Sequence, residues 1–308
     1  MLKRLISALI SFLMLFSSAA PQLFGLPQKA AKSTLDMDKF TLTWQDEFDG
    51  DTLNKENWTY EWWITERKGG FWHEDMVSVE DGNLVIRCDY KDEPLENRYY
   101  DKWHDTINFK PYKPGYYSAQ IVTRDKFEQC YGYFETRCIL PAGYGLWSAF
   151  WMMNEGVYQV DGSGRDGTEV DVFESMYYKD HWWGGDAVIT GIHYDGYGED
   201  EGSDSIGKIW IDNDPYTEYN TYGVEWNENE YIFYINGHET GRLSTGGVSQ
   251  NPEYLLLSVE VAGHDGIADA DRHGTGKITK TPQGNWPVEF KVDYVRVYQY
   301  KDKMPKPL

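Results

Sequence analysis

Short strand-like runs separated by turn residues recur along the chain, and helical periodicity is nearly absent after the first 20 residues. Apolar and polar residues alternate in many of these runs, which is typical of strands with one buried face. Turn sequences such as Asp81-Gly82-Asn83 and Asn236-Gly237 separate them. The pattern predicts a single all-β domain, a sandwich or jelly roll. The predicted strands are 77–79, 83–88, 119–123, 131–139, 148–153, 169–174, 190–194, 221–226, 231–235, 254–261 and 288–300.

Two stretches without a clear strand pattern, 91–115 and 196–219, are longer than simple connections. We interpret both as long loops. Loops of this length on a rigid β scaffold often carry binding residues.

Residues 169–174 (EVDVFE) place three carboxylates in one predicted strand. Side chains alternate faces along a strand, so Glu169 and Asp171 share one face and Glu174 points to the other. A β-bulge before Glu174 would return it to the face of the first two. Two carboxyl groups roughly 5–5.5 Å apart are what a retaining glycosidase needs. The alternative is an acidic strand face that contacts only solvent.

The N-terminus has the pattern of a secretory signal. Lys3 and Arg4 precede an apolar run at 5–16 and small residues at 17–20. The sequence therefore predicts a signal peptide at 1–20, a leader at 21–38, the catalytic domain at 39–302 and a tail at 303–308. We expect a secreted, extracellular protein. An uncleaved membrane anchor is the alternative, although the run is short for a span.

The formal net charge of -21 disfavours nucleic acid and anionic membranes as partners. It also argues mildly against a polyanionic substrate. The 13 Trp and 24 Tyr residues exceed what a core of this size needs, and rings with a polar edge suit stacking on sugars. Nothing in the sequence calls for more than a monomer.

Three cysteines, Cys88, Cys130 and Cys138, allow one disulfide and one free thiol in a secreted chain. Their spacing does not decide which pair would close, and it does not match a zinc site. We interpret all three as structural or free.

The order and spacing of six segments around 169–174 resemble glycoside hydrolase family 16 across nearly the whole mature chain. The segments are 44–50 (WQDEFDG), 79–86 (VEDGNLVI), 131–137 (YGYFETR), 145–152 (GLWSAFWM), 221–226 (TYGVEW) and 292–298 (VDYVRVY). The resemblance implies a jelly-roll β-sandwich of two antiparallel sheets with an open concave cleft. The E-x-D-x-x-E spacing is similar to the bulged, laminarinase-like and galactanase-like branches.

The same resemblance implies roles for the three carboxylates. Glu169 would be the nucleophile, Glu174 the acid/base and Asp171 a helper between them. Close carboxylates do not all ionise easily, so at least one of their pKa values is expected to be raised.

Several aromatic side chains are candidates for sugar binding. Trp147 and Trp151 are an even number of positions apart and so share a face, either in the cleft or in the core. Trp72 lies in a glycine-marked loop, where we expect an exposed platform.

Four polar residues are further candidates for substrate binding. His193 resembles a family position near the sugar or the acid/base, and Asp195 should share its face. Glu260 would bind hydroxyl groups or repel acidic sugars, and it could instead lie on the surface. Arg137, with Arg165, is a candidate cation for a sulfated substrate.

The resemblance also implies a structural calcium ion away from the cleft, at positions Glu47, Gly82 and Asp293, mostly through carbonyl oxygens. No cofactor is expected for catalysis.

The leading hypothesis is a retaining endo-β-glycanase acting on β-1,3-glucan or mixed β-1,3/1,4-glucan, the polysaccharide partner. One alternative is an agarase-like or porphyranase-like β-galactan hydrolase with the same mechanism. Others are a non-catalytic carbohydrate-binding module and a β-sandwich adhesin.

Overall fold

The computed structural model describes residues 35–60, 66–101, 106–111, 113–143, 145–176, 187–264, 267–268 and 286–304, with backbone alone at 96–101, 106–111 and 267. Within these ranges the chain forms strands and four short 3-10 helices, at Met37–Lys39, Glu74–Met76, Glu155–Tyr158 and Lys301–Lys303. No helix in the described part of the chain is long and apolar enough to cross a membrane. The predicted signal, residues 1–20, lies outside the described residues.

The described residues form 21 strands. They are β1 (Phe40–Asp46), β2 (Glu66–Arg67), β3 (Gly70–Trp72), β4 (Val77–Glu80), β5 (Asn83–Lys91), β6 (Glu96–Asp101), β7 (Thr106–Pro111), β8 (Gly115–Ser118), β9 (Gln120–Val122), β10 (Gly132–Ile139), β11 (Leu146–Met153), β12 (Glu169–Met176), β13 (Ala187–Tyr194), β14 (Gly202–Trp210), β15 (Asn220–Trp226), β16 (Tyr231–Ile235), β17 (His238–Leu243), β18 (Tyr254–Val261), β19 (Gly263–His264), β20 (Ile267–Ala268) and β21 (Val288–Tyr300).

Two large sheets form the predicted sandwich. The larger has the order β17-β16-β15-β10-β21-β5-β8-β3-β2, with β1 also paired to β21 and β4 to β5. The smaller has the order β14-β13-β12-β11-β18-β9. Pairing is antiparallel except between β3 and β8. The all-β jelly-roll prediction is therefore confirmed.

The core lies between the two sheets. Phe134 and Val224 come from the larger sheet, Phe150 and Phe173 come from the smaller one, and all four belong to one buried cluster. Burying each such side chain contributes roughly 1.5–3 kcal/mol. One face of the smaller sheet therefore packs against the core, and its other face can line a cleft.

All eleven predicted strands overlap observed ones, but the two predicted long loops were wrong in part. The stretch 91–115 contains the hairpin β6–β7, and 196–219 contains β14. β14 is an edge strand in the described part of its sheet, and it is only partly buried. Its polar composition is that of an exposed edge strand, so its sequence lacks the apolar alternation that would have predicted a strand.

The turn predictions are confirmed at two hairpins. Asp81 and Gly82 have φ of 52° and 71°, and Asn236 and Gly237 have φ of 50° and 72°. Two consecutive residues with positive φ are the requirement of a type I′ turn, which Asn-Gly and Asp-Gly satisfy. These turns fix the registers of β4–β5 and β16–β17.

Cys88, Cys130 and Cys138 are all free thiols. Burial raises the pKa of the Cys88 and Cys138 thiols, so both stay protonated and unreactive.

Candidate active site

A β-bulge interrupts β12 in the middle of the acidic run. Phe173 pairs with Phe150 and Asp171 pairs with Trp151, so Val172 is an extra residue with no partner on β11. The register on β13 is irregular at the same place, between Asp171 and Glu174.

The bulge brings the three carboxylates to one face of the smaller sheet. Glu169, Asp171 and Glu174 pair with Met153, Trp151 and Ala149 of β11. These partners occupy alternate positions of β11, so they share a face, and directly paired residues point the same way. All three carboxylates line one cleft of about 920 Å³.

Packing explains why the strand bulges here. Val172 and Phe173 are both buried in the core, at 4% and 0% exposure. A regular strand would turn Phe173 to the cleft and Glu174 into the core. Burying an unpaired carboxylate is costly, whereas burying a phenylalanine is favourable. Packing of Val172 and Phe173 against the core therefore favours the bulged form.

Glu174 and Glu169 each accept a hydrogen bond from an aromatic side chain. Trp147 Nε1 donates to Glu174 Oε1 at 2.8 Å, and the Tyr197 hydroxyl donates to Glu169 Oε2 at 2.5 Å. Burial and the charge of Glu169 raise the pKa of Glu174 to about 7. Burial also raises the pKa of Glu169, against the opposing hydrogen bond from Tyr197.

Asp171 is the most buried of the three, at 3% exposure. Burial and the neighbouring Glu174 and Glu169 charges raise its pKa well above the ordinary value. His193 Nε2 lies 3.5 Å from Asp171 Oδ2, and His193 Nδ1 lies 2.6 Å from Glu201 Oε1. The imidazole thus lines the cleft beside the central carboxyl, near the position that the sequence predicted.

A cluster of charged residues forms the wall of the cleft beside Trp147. Glu260, which pairs directly with Trp147, accepts a hydrogen bond from Arg67 Nε, and its Oε2 lies 2.9 Å from Lys68 Nζ. Lys68 Nζ also lies 3.3 Å from the centroid of the Trp147 ring. Glu260 is therefore a cleft residue, but two cations offset its charge and it would not repel an acidic sugar.

Trp72 and Trp151 both line the cleft. Trp72 is a strand residue at 6% exposure, and its Nε1 donates to the Val259 carbonyl at 2.9 Å. The Arg67 guanidinium carbon lies 5.6 Å from its ring centroid. The prediction of an exposed loop tryptophan was therefore wrong, because β3 joins a sheet and buries the ring. Trp151 is half-buried and bonds Ser258 through its indole N–H at 3.2 Å.

Two predicted binding residues lie outside the residues that line this cleft. Asp195 follows the end of β13 with φ of 60°, and its carboxylate accepts hydrogen bonds from the backbone N–H groups of Asp161 and Gly162. Arg137 is on β10 of the other sheet, paired with Asp293 and lying over the ring of Tyr219. The positive φ moves Asp195 off the face of His193, and sheet membership separates Arg137 from the carboxylates.

The predicted calcium ligands are partly engaged elsewhere. Glu47 forms two 2.8 Å hydrogen bonds with Arg296, and the Asp293 carboxylate pairs with Arg137. Each of these two carboxylates is therefore engaged by an arginine. The calcium site at Glu47, Gly82 and Asp293, mostly through carbonyl oxygens, stays a prediction, which the melting temperature with and without a chelator would test.

Among the described residues, one group of potential metal-ligand side chains comes together, namely Glu169, Asp171 and His193. Their ligand atoms lie within 4.8 Å of one another. Acidic side chains often lie this close without an ion, and the group coincides with the carboxylates already described.

The sequence analysis missed several residues of the cleft. They are Arg67, Lys68, Arg124, Tyr158 and Tyr197. Tyr197 lies in a stretch predicted as a binding loop, and this was the only signal for any of them.

A family model described as "Beta-porphyranase A-D, GH16 domain" matches residues 41–300. The protein belongs to glycoside hydrolase family 16. It is an endo-β-glycanase of this family, and the resemblance seen in the sequence is confirmed.

Two curated relatives and one solved structure illustrate the range of this likeness. The chain is 25% identical over 275 residues to a beta-glucanase of Rhodothermus marinus, covering 84% of this chain and 85% of that protein. It is 28% identical over 274 residues to a keratan-sulfate endo-1,4-beta-galactosidase of Sphingobacterium multivorum, covering 84% of this chain and 55% of that protein. It covers roughly a third of the length of several other curated relatives.

The laminarinase catalytic domain of Thermotoga maritima has a similar structure, with a TM-score of 0.61, 24% identity and coverage of 85% of this chain and 98% of that one. At this identity the likeness shows a shared fold.

Proposed function

We propose that this endo-β-glycanase hydrolyses its glycan with retention of configuration, through a covalent glycosyl-enzyme. The observation that carries the proposal is the bulge at Val172, which places Glu169, Asp171 and Glu174 on one face of the cleft. Retention requires a nucleophile and an acid/base that reach the same glycosidic bond.

The protonation states support these roles. A pKa of about 7 lets Glu174 hold a proton at neutral pH, so it can protonate the leaving oxygen. Glu169 attacks the anomeric carbon as its carboxylate, and the bond to the leaving oxygen breaks. Glu174, now ionised, then takes a proton from water, and that water displaces Glu169 from the sugar.

Asp171 assists from between the two. Its buried carboxyl has a strongly raised pKa, so it is protonated and can share its proton with a neighbouring carboxylate. The three groups titrate as a coupled set, and shared protons reduce the repulsion between their charges.

We propose a neutral β-1,3-glucan or mixed β-1,3/1,4-glucan as the substrate. The beta-glucanase relative supports this choice. The cleft charges agree with it, because the three cleft cations among the described residues are each paired with a cleft carboxylate. Arg67 and Lys68 pair with Glu260, and Arg124 pairs with Glu155.

A β-galactan is the second candidate, because the family model that matches residues 41–300 is described as a porphyranase domain. The paired cations make an unsulfated galactan a better fit than a sulfated one, since a sulfate would have to displace Glu260 or Glu155. Arg137 and Arg165 do not line the cleft and so add no cation to it.

Hydrolysis of a glycan panel tests both the activity and the substrate. Release of reducing ends from laminarin, lichenan, agarose, porphyran and keratan sulfate would be measured for the wild type and for Glu169→Gln and Glu174→Gln. We expect turnover of the glucans and a loss of at least about 10³-fold in both variants. Near-normal hydrolysis by either folded variant would refute the assigned roles.

Proton NMR of the first-formed product tests the stereochemistry. The β anomer is expected, and the α anomer would mean inversion and a different mechanism.

We also propose secretion, on the evidence of residues 1–20 alone. N-terminal sequencing of the protein released by its host would test it, with cleavage after Ala20 as the expected result.

A further inference from the structure

Two exposed tyrosines stand together at the rim of the cleft. Tyr158 and Tyr197 are 59% and 47% exposed, and their ring centroids lie 5.7 Å apart at an interplanar angle of 70°. Both line the same cleft as Glu169. Exposed aromatic rings that continue a substrate cleft are a natural contact surface for its ligand.

The backbone holds the pair in place. Tyr158 ends the 3-10 helix that follows β11, and Tyr197 follows β13, so both stand at the end of the sheet where β12 begins with Glu169. The N–H of Gly196 donates to the Val157 carbonyl at 2.6 Å, joining the two segments.

Asp195 joins the same segments a second time. Its carboxylate accepts hydrogen bonds from the N–H groups of Asp161 and Gly162, at 2.9 and 3.1 Å. Asp195 thus has a supporting role in place of the sugar-binding role predicted for it. A surface held in this way loses little conformational entropy when it binds a ligand.

We propose that Tyr158 and Tyr197 form a binding site for a neutral pyranose unit of the substrate glycan, and that the Tyr197 hydroxyl positions Glu169. The inference rests on the proposed retaining mechanism and extends it. The rings offer apolar area to the CH-bearing face of the sugar, which burial would remove from water.

The hydroxyl of Tyr197 has a separate task. It donates to Glu169 Oε2, which leaves Oε1 to attack the anomeric carbon. Burial and the charge of Glu169 raise the pKa of Tyr197, so the phenol stays protonated and remains a donor. Removing it would leave the nucleophile with less stabilisation of its ionised form.

Other charged or titratable groups also act on Glu169, and the effect of Tyr197 must be separated from theirs. Those that face it are His193, Arg67, Glu260, Asp171, Glu174 and Glu253. Substituting Phe for Tyr197 leaves all of these in place and keeps the ring.

Three variants test the proposal on the substrate that the panel identifies. Tyr158→Ala should raise KM about fivefold with kcat nearly unchanged, because it removes a ring from the binding surface. Tyr197→Phe should lower kcat about tenfold. The acid limb of its pH–rate profile should move to higher pH, because the lost hydrogen bond favoured the ionised form of Glu169. Tyr90→Ala is the matched control.

Tyr90 is an exposed tyrosine on β5, with its ring edge-on to Tyr116 at 5.1 Å and outside the cleft lining. Its substitution should change neither KM nor kcat. Wild-type KM in Tyr158→Ala together with a wild-type pH profile in Tyr197→Phe would overturn the proposal.

Calorimetric binding in the inactive Glu169→Gln background separates this proposal from the proposed function. Oligosaccharide affinity should fall about fivefold when Tyr158→Ala is added. If the wild type hydrolyses none of the glycans, the proposed function fails, and weaker binding by the Tyr158→Ala variant would still support the site. Equal oligosaccharide affinity with and without Tyr158→Ala would count against it.

Discussion

The indole N–H of Trp147 donates a 2.8 Å hydrogen bond to Oε1 of Glu174. A donor of this kind stabilises the ionised carboxylate and so opposes the burial and the Glu169 charge that raise the pKa of Glu174 to about 7. The proton affinity of the proposed acid/base is thus the balance of opposing local effects. The indole donor and the nearby charges can each be removed by a single substitution.

Trp147→Phe removes the donor and keeps an aromatic ring. Glu174 must be protonated for the first step, so activity falls as pH rises through its pKa. Without the indole N–H this pKa should rise, and the alkaline limb of kcat/KM should move to higher pH. We expect kcat to fall about tenfold at neutral pH, since a hydrogen bond to a charged group is worth roughly 1.5–3 kcal/mol. An alkaline limb at the wild-type position would show that this hydrogen bond does not tune Glu174.

Lys68→Met tests the cation that lies over the same ring. Burial and the Glu169 charge raise the pKa of Glu174, and the smaller effect of the Lys68 charge lowers it. Its removal should therefore raise this pKa and move the alkaline limb upward, as in Trp147→Phe, but with the hydrogen bond intact. The pH profile of kcat/KM is the measurement.

Lys91→Met is the matched control for Lys68→Met. The Lys91 side chain is 33% exposed, against 30% for Lys68, and it also pairs with one carboxylate, Asp89. It does not line the cleft. Equal profiles for the two variants would contradict a specific effect of Lys68.

Much of the fold and the centre of the site followed from local sequence. Alternation located the eleven strands, and Asp81-Gly82 and Asn236-Gly237 located two turns, because both signals depend on residues close together in the chain. The bulge could be stated only as one of two possibilities. Its selection depends on the burial of Val172 and Phe173 against the opposite sheet, which local sequence does not reveal.

The surroundings of the carboxylates were harder to predict. The Tyr197–Glu169 bond spans 28 residues and the Arg67–Glu260 bond spans 193, and neither has a periodic signal. Trp72 was misplaced for the same reason, because its parallel pairing on β8 is a long-range event. Whether a segment forms a strand depends on residues close in sequence, whereas the contacts in a cleft depend on which strands the topology brings together.

Deleting Val172 would test the bulge directly. The deletion leaves Glu-Val-Asp-Phe-Glu, so in a regular strand Glu174 stands two positions after Asp171 and stays on the face of Glu169. We expect hydrolysis to be kept and stability to fall, because the core loses the buried Val172 side chain. Val172→Ala should keep the bulge and the activity and lower the free energy of unfolding by about 1–3 kcal/mol. A folded deletion variant without detectable turnover would contradict the view that the bulge serves to return Glu174 to the face of Glu169.

We expect Glu253, a buried residue next to the active-site strand β12, to make the free energy of unfolding depend on pH. It is fully buried, and its Oε1 accepts hydrogen bonds from the N–H and hydroxyl of Thr168, the residue before Glu169. Burial raises its pKa to about 8 from an ordinary value of 4.5. The folded state therefore holds this proton more tightly than the unfolded chain does. Its contribution to stability is fully present below about pH 4.5 and is lost as pH rises towards 8.

Glu253→Gln should remove that loss, because glutamine has no proton to release. Its free energy of unfolding, measured by urea denaturation, should exceed the wild-type value by about 1–4 kcal/mol at pH 8, and the difference should shrink as pH falls towards 4.5. Glu56→Gln, at an exposed position, controls for a general effect of removing a charge. A difference between Glu253→Gln and wild type that stays constant across this window would show that Glu253 does not titrate within it.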